Sequence, residues 1–506
     1  MLTKLVAILQ KVWKYYLFVT LATLFIGVAF SSAEFVTIPT EHLKDALILF
    51  LQWSVLVVAL WPVIQLISLN KYVFALLYPL LNLLSCILVY FRYTTGTTLT
   101  SGLVEVVLDN HSQTTLISGL LIAVCLLTLL ISILFAVYRF TKIKIHKPLI
   151  HTLLALILFA VLFHIPQITK PISKRIPFNL YYATAQYLTE KREAQTERPV
   201  LSTHVTSSAS DDLKVVLIIG ETVRADHLGI NGYSRNTTPH LAQEDVISFS
   251  DMYSPYTYTA GSLPFMLTRA DHRNWNLAYT ERSFTDVFKQ AGFQTAWLAN
   301  QESNKSFVYF MNECDTLIRV NVNKSSYTAE KWTDDALLPP YNKLIAKNGN
   351  ELLILHTIGS HWYFNNHFTD EYQHFNPITR SRVIRANTSQ EMINSYDNTI
   401  LFTDYFWYEI INNLRKKNAI IFYLSDHGEA LGENGVWLHA TENEMSHYPA
   451  CWIWMSPQYK TNHPNTYDTF QKNKNKAYTT AFLFHTILKA AGIESDVIDE
   501  TQSLFH

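Results

Sequence analysis

The chain has 506 residues, of which 49% are hydrophobic and 16% charged, and its formal net charge is −1. This length exceeds one ordinary hydrophobic core, so at least two domains are expected. The near-neutral charge argues against a nucleic-acid partner. Four cysteines are too few for a disulfide-dense secreted scaffold.

The first third of the chain is predicted to be a transmembrane domain, residues 1–168. Uncharged runs long enough to cross a bilayer, which takes about 20 apolar residues, are Tyr15–Ala33, Ala46–Asn70, Tyr72–Phe91, Thr114–Tyr138 and Pro148–Ile168. No small-residue cleavage site follows the first run, so a cleaved signal peptide is not expected. Lysines and arginines concentrate at the N-terminus and in alternate connections, which predicts a cytoplasmic N-terminus and an outer location for everything after Ile168.

Residues 169–212 are predicted to be a linker with a helical stretch, Asn179–Arg192, and residues 213–506 a second domain. Predicted strands in that domain are Val215–Ile219, Gln294–Ala299, Glu351–Thr357, Ala419–Leu424 and Cys451–Met455. Predicted helices are Ser283–Gly292, Gln390–Lys417 and Thr479–Ala491. Continuous apolar strands that alternate with helices indicate an α/β fold with a mainly parallel sheet between helix layers. Cys314 and Cys451 in this domain could pair or remain free.

Carboxylate and imidazole side chains follow several of these strands. Glu221 follows the first strand, His361 the third, and Asp426 with His427 the fourth, while His439 lies shortly after. Each residue alone is more often a solvated, capping or core residue. Because the carboxyl ends of parallel strands share one edge, their co-occurrence favours a zinc or manganese site.

Hydroxyl groups lie in the segment Tyr253–Met266, which contains Thr257, Thr259 and Ser262. The Ala-Gly-Ser turn before Leu-Pro is typical of a helix start, where the helix dipole favours an incoming phosphate. An alternating strand edge or an N-cap is the simpler interpretation of the two threonines. A metal beside a hydroxyl would instead indicate phosphoryl or sulfuryl transfer.

Four sequence motifs resemble those of the membrane-bound phosphoethanolamine transferases, which include lipid A-modifying enzymes and the mobile colistin-resistance proteins associated with polymyxin resistance. The motifs are GETVRADHLGINGYSRNTTPHL, YTYTAGSLPFM, the Gly-Ser-His after ELLILHTI, and YLSDHGEALGENGVWLH. The resemblance covers essentially the whole chain. It implies an alkaline-phosphatase or sulfatase-like domain outside the inner membrane, with zinc as cofactor.

Site residues carried over from this resemblance fall into three groups. Zinc ligands would be Glu221, Asp426, His427 and Thr259, and Thr259 would also be the nucleophile. The phosphoethanolamine pocket would contain Thr257, Lys305, His361, His439 and Gln301, the last standing where asparagine is common. Pro255 and Phe265 replace flanking cysteines that the family often has. In the loop Thr94–Thr115, Glu105 and Gln113 stand where asparagine and glutamate are expected.

The reaction implied is transfer of phosphoethanolamine from phosphatidylethanolamine, through a covalent phosphothreonine-type adduct on Thr259, to an envelope acceptor. His361 or His439 would carry a proton or bind phosphate. Lipid A, the lipopolysaccharide core, a periplasmic glucan and a protein glycan all remain open as acceptors, and a monomer is expected. The alternatives are a phosphoglycerol transferase or sulfatase-like phosphohydrolase of the same fold, and, in another class, an inactive membrane sensor or scaffold.

Overall fold

The structure is a computed structural model, which describes residues 2–36, 43–95, 99–101, 104, 108, 119–209, 211–324, 330–382, 384–439 and 443–506. The chain divides into two compact units. The first lies within Met1–Tyr187, and the second comprises Leu188–Val322 and Glu330–His506. The loop positions Glu105 and Gln113 lie outside the described residues.

In its described part, the first unit consists of helices and the turns that connect them. Its helices are α1 (Leu2–Ile26), α2 (Ala33–Val36), α3 (Leu43–Leu69), α4 (Lys71–Thr95), α5 (Gly119–Thr141), α6 (Pro148–Phe163) and α7 (Pro166–Ser173). Within the described residues, four segments are long and apolar enough to cross a membrane: Val12–Val36, Leu43–Leu69, Lys71–Tyr90 and Gly119–Thr141. The fifth predicted span forms the shorter α6, whose 16 residues extend about 24 Å at 1.5 Å per residue.

A helix, α8 (Asn179–Ala194), begins at the residue predicted for it and precedes the α/β part of the chain. Among the described residues, the strands there are β1 (Val205–Ser207), β2 (Leu213–Gly220), β3 (Val246–Ser248), β4 (Met252–Tyr253), β5 (Gln294–Ala299), β6 (Thr316–Arg319), β7 (Glu351–His356), β8 (Asn418–Ser425), β9 (Cys451–Met455), β10 (Tyr478–Thr479) and β11 (Ile493–Ser495). The helices are α9 (Thr259–Leu267), α10 (Leu277–Thr280), α11 (Phe284–Gln290), α12 (Val308–Glu313), α13 (Leu338–Ile345), α14 (Ser389–Leu414), α15 (Pro457–Asn462), α16 (Pro464–Asn473) and α17 (Phe482–Ala490).

The central sheet of the second unit has the strand order β3-β9-β8-β2-β7-β5-β6 in the described residues. Strands β8, β2, β7, β5 and β6 pair in parallel, whereas β9 runs antiparallel to both β8 and β3. The sheet is therefore mixed, with an antiparallel strand near one edge. Two smaller sheets pair β1 with β11 and β4 with β10.

Strand β2 lies at the centre of the sheet, and all eight of its residues are buried. Leu217 and Ile219 belong to one hydrophobic cluster, while Val216 and Ile218 belong to a second. Because side chains alternate along a strand, the two clusters lie on opposite faces of the sheet. Burial on both faces explains why the strand reads as a continuous apolar run. The cysteines Cys314 and Cys451 are both buried and free.

Candidate active site

The parallel pairing of β2 with β8 brings Glu221 and Asp426 to one edge of the sheet. Gly220 and Ser425, the last residues of these strands, are register partners. Each is followed by a carboxylate, so the two carboxylates leave the sheet side by side. Glu221 is 1% exposed, and Asp426 and His427 are fully buried.

Each of these three residues has one buried side-chain atom that finds no hydrogen-bond partner among the described residues: Glu221 Oε1, Asp426 Oδ2 and His427 Nε2. His427 Nε2 lies 3.5 Å from Glu221 Oε1 and 3.4 Å from Asp426 Oδ2. Three unpaired buried polar atoms are costly to retain unless something pairs with them. Their convergence makes this cluster a candidate site for a cation.

Neighbouring groups orient the same three side chains. The His427 Nδ1 lies 2.8 Å from the Gly428 carbonyl oxygen, an arrangement that places the ring hydrogen on Nδ1 and leaves the Nε2 lone pair free. Asp426 Oδ1 accepts hydrogen bonds from the backbone N–H groups of His427 (2.8 Å) and Thr222 (3.3 Å). One carboxylate oxygen is thus used to fix the side chain while the other faces the cluster.

Zinc fits this donor set. Zinc–ligand bonds of 2.0–2.2 Å in a tetrahedron place ligand atoms about 3.3–3.5 Å apart, which agrees with the two distances from His427 Nε2. Burial lowers the pKa of His427 well below its usual value, so the imidazole is neutral and able to bind a metal. Burial also raises the pKa of Glu221 well above its usual value and the pKa of Asp426 to about 7, shifts that a bound cation would reverse.

Thr259 is the first residue of α9, and its hydroxyl donates a hydrogen bond of 2.8 Å to Glu221 Oε2. Gln301, just past the end of β5, donates a second hydrogen bond of 2.8 Å to the same oxygen. The helix N-terminus thus presents a hydroxyl beside the candidate metal ligands, where the helix dipole stabilises an anion. Gln301 was predicted to bind substrate, and its contact in the structure is with Glu221.

A second group of possible ligands shares Glu221 and adds His361 and His439, with one atom of each within 4.8 Å of the others. The His361 and His439 rings lie 5.3 Å apart between centroids. Glu429, which is fully buried, lies 3.2 Å from His439 through Oε2 and Nδ1. Although burial opposes charge on His439, the Glu429 carboxylate raises the pKa of His439 to about 9, so this imidazole carries a proton at neutral pH.

The loop that carries His361 is held against β2 by backbone contacts. Ser360 N–H donates to the Glu221 carbonyl oxygen at 3.0 Å. Gly359 has φ +47°, and a Cβ atom there would approach the Glu221 backbone to 2.8 Å, so only glycine fits. The buried Asp334 accepts hydrogen bonds from Ile358 N–H (2.8 Å) and Gly359 N–H (2.9 Å).

The remaining predicted residues lie differently. Thr257 is buried two residues before Thr259, and in the described part of the chain it makes no hydrogen bond to Glu221, Asp426 or His427. Lys305 is exposed, and within that same part it forms no ion pair. Their assignment to a substrate pocket stays a prediction.

Two contributing residues were not assigned roles from the sequence. Glu429 is visible in it, because it belongs to the Asp-His-Gly-Glu run after β8. Asp334 gives no local signal, since it precedes α13 in sequence and acts on a loop that begins more than twenty residues later.

The sequence of this chain was compared with protein-family models and with known proteins. A protein-family model described as Sulfatase matches residues 214–493. Phosphoethanolamine transferase EptA of Escherichia coli K12 is 31% identical over 297 residues, which cover 55% of this chain and 53% of that protein. The Kdo(2)-lipid A phosphoethanolamine 7''-transferase of Salmonella typhimurium is 37% identical over 268 residues, which cover 51% and 47%. The chain therefore spans about half the length of the curated relatives it matches.

Solved structures extend the similarity in fold. The integral membrane lipooligosaccharide phosphoethanolamine transferase A from Neisseria meningitidis superposes with a TM-score of 0.56 at 23% identity, covering 96% of this chain and 97% of that one. The periplasmic domain of EptC from Escherichia coli, solved as a complex with Zn, has a TM-score of 0.56 at 24% identity and covers 61% and 90%. At these identities the likeness concerns the fold.

Proposed function

The chain belongs to the sulfatase family, and from that premise we propose that it transfers phosphoethanolamine from phosphatidylethanolamine to an envelope glycolipid or glycan. Lipid A or the lipopolysaccharide core is the proposed acceptor. The named relatives are phosphoethanolamine transferases, and one of them acts on Kdo(2)-lipid A. These relatives support the substrate class, while the proposed chemistry rests on the site itself.

The observation that carries the proposal is the position of the Thr259 hydroxyl. It lies at the first residue of α9, bonded to Glu221 Oε2 at 2.8 Å, beside the three unpaired ligand atoms. A hydroxyl at a helix N-terminus next to a cation site meets the requirements for a nucleophile toward a phosphodiester. A threonine with a purely structural role would not require a helix N-terminus beside unpaired metal-ligand atoms.

Zinc held by Glu221, Asp426 and His427 would stabilise negative charge on the phosphoryl oxygens and lower the pKa of a nearby hydroxyl. Glu221 Oε2 holds the hydroxyl hydrogen of Thr259 and thereby orients its oxygen toward an incoming phosphorus. Gln301 fixes the same carboxylate oxygen from the other side. The chain thus arranges the nucleophile before substrate arrives, which reduces the entropic cost of the step.

Transfer then takes two displacements at phosphorus. The Thr259 oxygen gives its proton to Glu221 Oε2 and forms a bond to phosphorus, and the bond from phosphorus to the diacylglycerol oxygen breaks. The leaving oxygen needs a proton, and the charged imidazole of His439, supported by Glu429, is the proposed source. An acceptor oxygen next forms a bond to phosphorus and loses its proton to His439, while the bond from phosphorus to Thr259 breaks and the threonine oxygen regains its proton from Glu221.

The described membrane-type helices support lipid substrates for this reaction. Four segments are long and apolar enough to cross a bilayer, and a membrane protein meets both a phospholipid donor and a glycolipid acceptor in the plane of one leaflet. We place the second unit on the periplasmic side of the inner membrane, with the N-terminus in the cytoplasm, from the charge asymmetry of the connections.

Peptide mass spectrometry of the full-length protein, quenched during turnover of phosphatidylethanolamine, tests the proposal. An adduct of phosphoethanolamine mass is expected on Thr259. Thr259→Ala should lose the adduct and the release of diacylglycerol, Thr259→Ser should restore part of both, and Thr257→Ala should slow turnover while keeping the adduct. An adduct on Thr222 or Thr257, or none in any variant, would contradict the assignment.

The same experiment separates the alternatives on this fold. A phosphoglycerol adduct would identify a phosphoglycerol transferase, and diacylglycerol release with water as sole acceptor would identify a phosphohydrolase. Mass spectrometry of envelope glycolipids, with and without the protein, then identifies the acceptor. Absence of any reaction, with the zinc site intact, would favour the sensor or scaffold.

A further inference from the structure

A cavity of about 540 Å³ lies in the second unit, apart from the metal ligands. Most of its lining comes from Tyr253–Tyr256, Ala270–Trp275 and Ala477–Phe482 around β10, and the rest from Phe265, Thr501 and Gln502. The volume falls within the range of about 300–1,000 Å³ that is typical of small-molecule sites. The mechanism proposed above uses none of its lining residues.

The cavity adjoins the nucleophile segment. Tyr253, Pro255 and Tyr256 line it, and Ser254, between the first two, donates a hydrogen bond of 2.9 Å to the Asp426 carbonyl oxygen. Tyr256 precedes Thr259 by three residues, so their Cα atoms are at most about 11 Å apart at 3.8 Å per peptide. The cavity therefore lies beside the chain segment that carries Thr259.

Aromatic rings form part of the cavity wall and remain open to solvent. Trp275 is 61% exposed and Tyr253 is 41% exposed. The ring of Tyr256 lies against buried Phe265, with centroids 4.9 Å apart. Exposed aromatic rings grouped at a cavity, rather than scattered, indicate a binding surface.

Polar groups lie among these rings. Asp271 accepts backbone hydrogen bonds from Arg273 and Asn274 through Oδ1, which fixes its carboxylate at the cavity. The exposed Arg273 adds a guanidinium group to the lining. Thr480 also lines the cavity; it is fully buried, and its Oγ1 has no hydrogen-bond partner within the described chain. A buried hydroxyl without a partner is costly to retain, and Thr480→Val tests whether a bound ligand pairs with it.

From this combination we infer that the cavity binds a pyranose ring of the acceptor, an inference that rests on the proposed transfer to a glycolipid or glycan. A pyranose presents C–H groups on its faces, which pack against aromatic rings, and hydroxyl groups around its edge, which pair with carboxylate, guanidinium and hydroxyl side chains. An acyl chain offers no partner for Asp271, Arg273 or Thr480, and burying these groups against it would carry a desolvation cost.

Saturation-transfer NMR of the full-length protein in a detergent without a sugar head group tests this, with methyl β-D-glucopyranoside and glucosamine as probes. Binding of at least one pyranose is expected. Loss of the Trp275 ring in Trp275→Ala should weaken it about tenfold, as for a central aromatic contact. Tyr279→Ala is the matched control, because Tyr279 is 44% exposed and does not line the cavity.

Thr480→Val separates a binding role from a structural one. Valine keeps the shape of threonine and removes the unpaired hydroxyl, so thermal stability should rise or stay unchanged while pyranose affinity falls. Equal pyranose affinity in the wild type, Trp275→Ala and Thr480→Val would overturn the inference. Displacement of the pyranose by a short-chain lipid without a sugar, at similar affinity, would also overturn it.

The two proposals fail in distinguishable ways. Sugar binding does not require the transfer reaction. If pyranose binding depends on Trp275 while no adduct forms on Thr259, the sugar site is supported and the proposed transferase activity is contradicted. If the adduct forms on Thr259 but Trp275→Ala leaves the KM for a glycolipid acceptor unchanged, the transferase activity is supported and the sugar site is contradicted.

Discussion

At the amino ends of the central strands, Lys214 is fully buried, and its Nζ meets Glu351 at 2.9 Å, Asp212 at 3.0 Å and two backbone carbonyl oxygens at 2.7 Å. At the carboxyl end of the same strand β2, Glu221 is equally buried, yet the neighbouring charge with the largest effect on its pKa is Asp426, which carries the same sign and outweighs His439. Both edges hold buried charge, but only at the amino edge does an opposite charge of the chain lie in direct contact with the buried carboxylate, because Lys214 Nζ lies 2.9 Å from Glu351. The difference agrees with the proposed cation at the carboxyl edge, whereas the amino edge has its counter-charge within the chain.

The largest expected effect comes from removing a ligand at the carboxyl edge. Asp426→Ala should lose most of the bound zinc, and transfer should fall by about a thousandfold or more, because metal stabilisation of charge is worth several kcal/mol. Elemental analysis of purified protein and a diacylglycerol-release assay measure the two quantities.

The matched control for Asp426 is Asp404→Ala. Asp404 is also fully buried, and it accepts hydrogen bonds from the backbone of His240 and Leu241. This variant should lose stability and keep its zinc. Unchanged zinc in Asp426→Ala would remove Asp426 from the site and end the contrast between the two edges.

At the amino edge, Lys214→Met should destabilise the fold by about 3–5 kcal/mol, since it leaves Glu351 as an unpaired buried charge. Zinc content per folded chain should stay unchanged. Adding Glu351→Leu should restore much of the loss. Denaturant unfolding of the three proteins measures the effect, and zinc loss in Lys214→Met would show that the edges are coupled.

The free energy of unfolding should depend on pH differently when zinc is bound at the carboxyl edge and when it is absent. Burial raises the pKa of Asp426 to about 7 from its usual value of 3.8, so the folded apo protein binds this proton more tightly than the unfolded chain. This proton's contribution to the free energy of unfolding is complete below pH 3.8 and is lost as pH rises toward 7. The free energy of unfolding then falls by at most about 1.4 kcal/mol per pH unit.

Zinc competes with that proton, so added zinc should stabilise the protein more at about pH 8.5 than at about pH 5.5, which lie roughly equally far above and below the pKa of Asp426. Thermal unfolding at the two pH values, with and without zinc, is the measurement. In Asp426→Asn this component of the pH dependence should disappear. A zinc effect that is independent of pH would contradict protonation of the empty ligand set.

The smallest expected effect concerns Gln301, which donates to Glu221 Oε2 and orients it. Gln301→Ala should weaken zinc binding by about tenfold, at the low end for a group that orients a metal ligand. Competition with a fluorescent zinc chelator measures this affinity without use of the reaction. Gln301→Glu would place a second acid beside Glu221 and should raise zinc affinity only if the side chain itself binds the metal.

Much of the second unit was readable from sequence. Strands β5 and β9 occupy the predicted ranges, and β2, β7 and β8 differ from theirs by one or two residues. Buried strands need continuous apolar side chains on both faces, a requirement that is local in sequence. The sequence also predicted that the residues after β2 and β8 lie close together, because neighbouring parallel strands end at the same edge of a sheet. The candidate ligands Glu221, Asp426 and His427 were therefore predictable.

The rest depended on pairings between distant segments. The antiparallel direction of β9 is set by its partners β8 and β3, and no residue within Cys451–Met455 encodes it. Gln301 reaches Glu221 across 80 positions of sequence, and Asp334 holds a loop that follows another strand. The cavity assembles residues from 253 to 502. Sequence by itself determined what each segment buries and which chemistry follows each strand, because burial and periodicity are local. Only the tertiary structure decided which side chains meet, because contact depends on the packing of the whole chain.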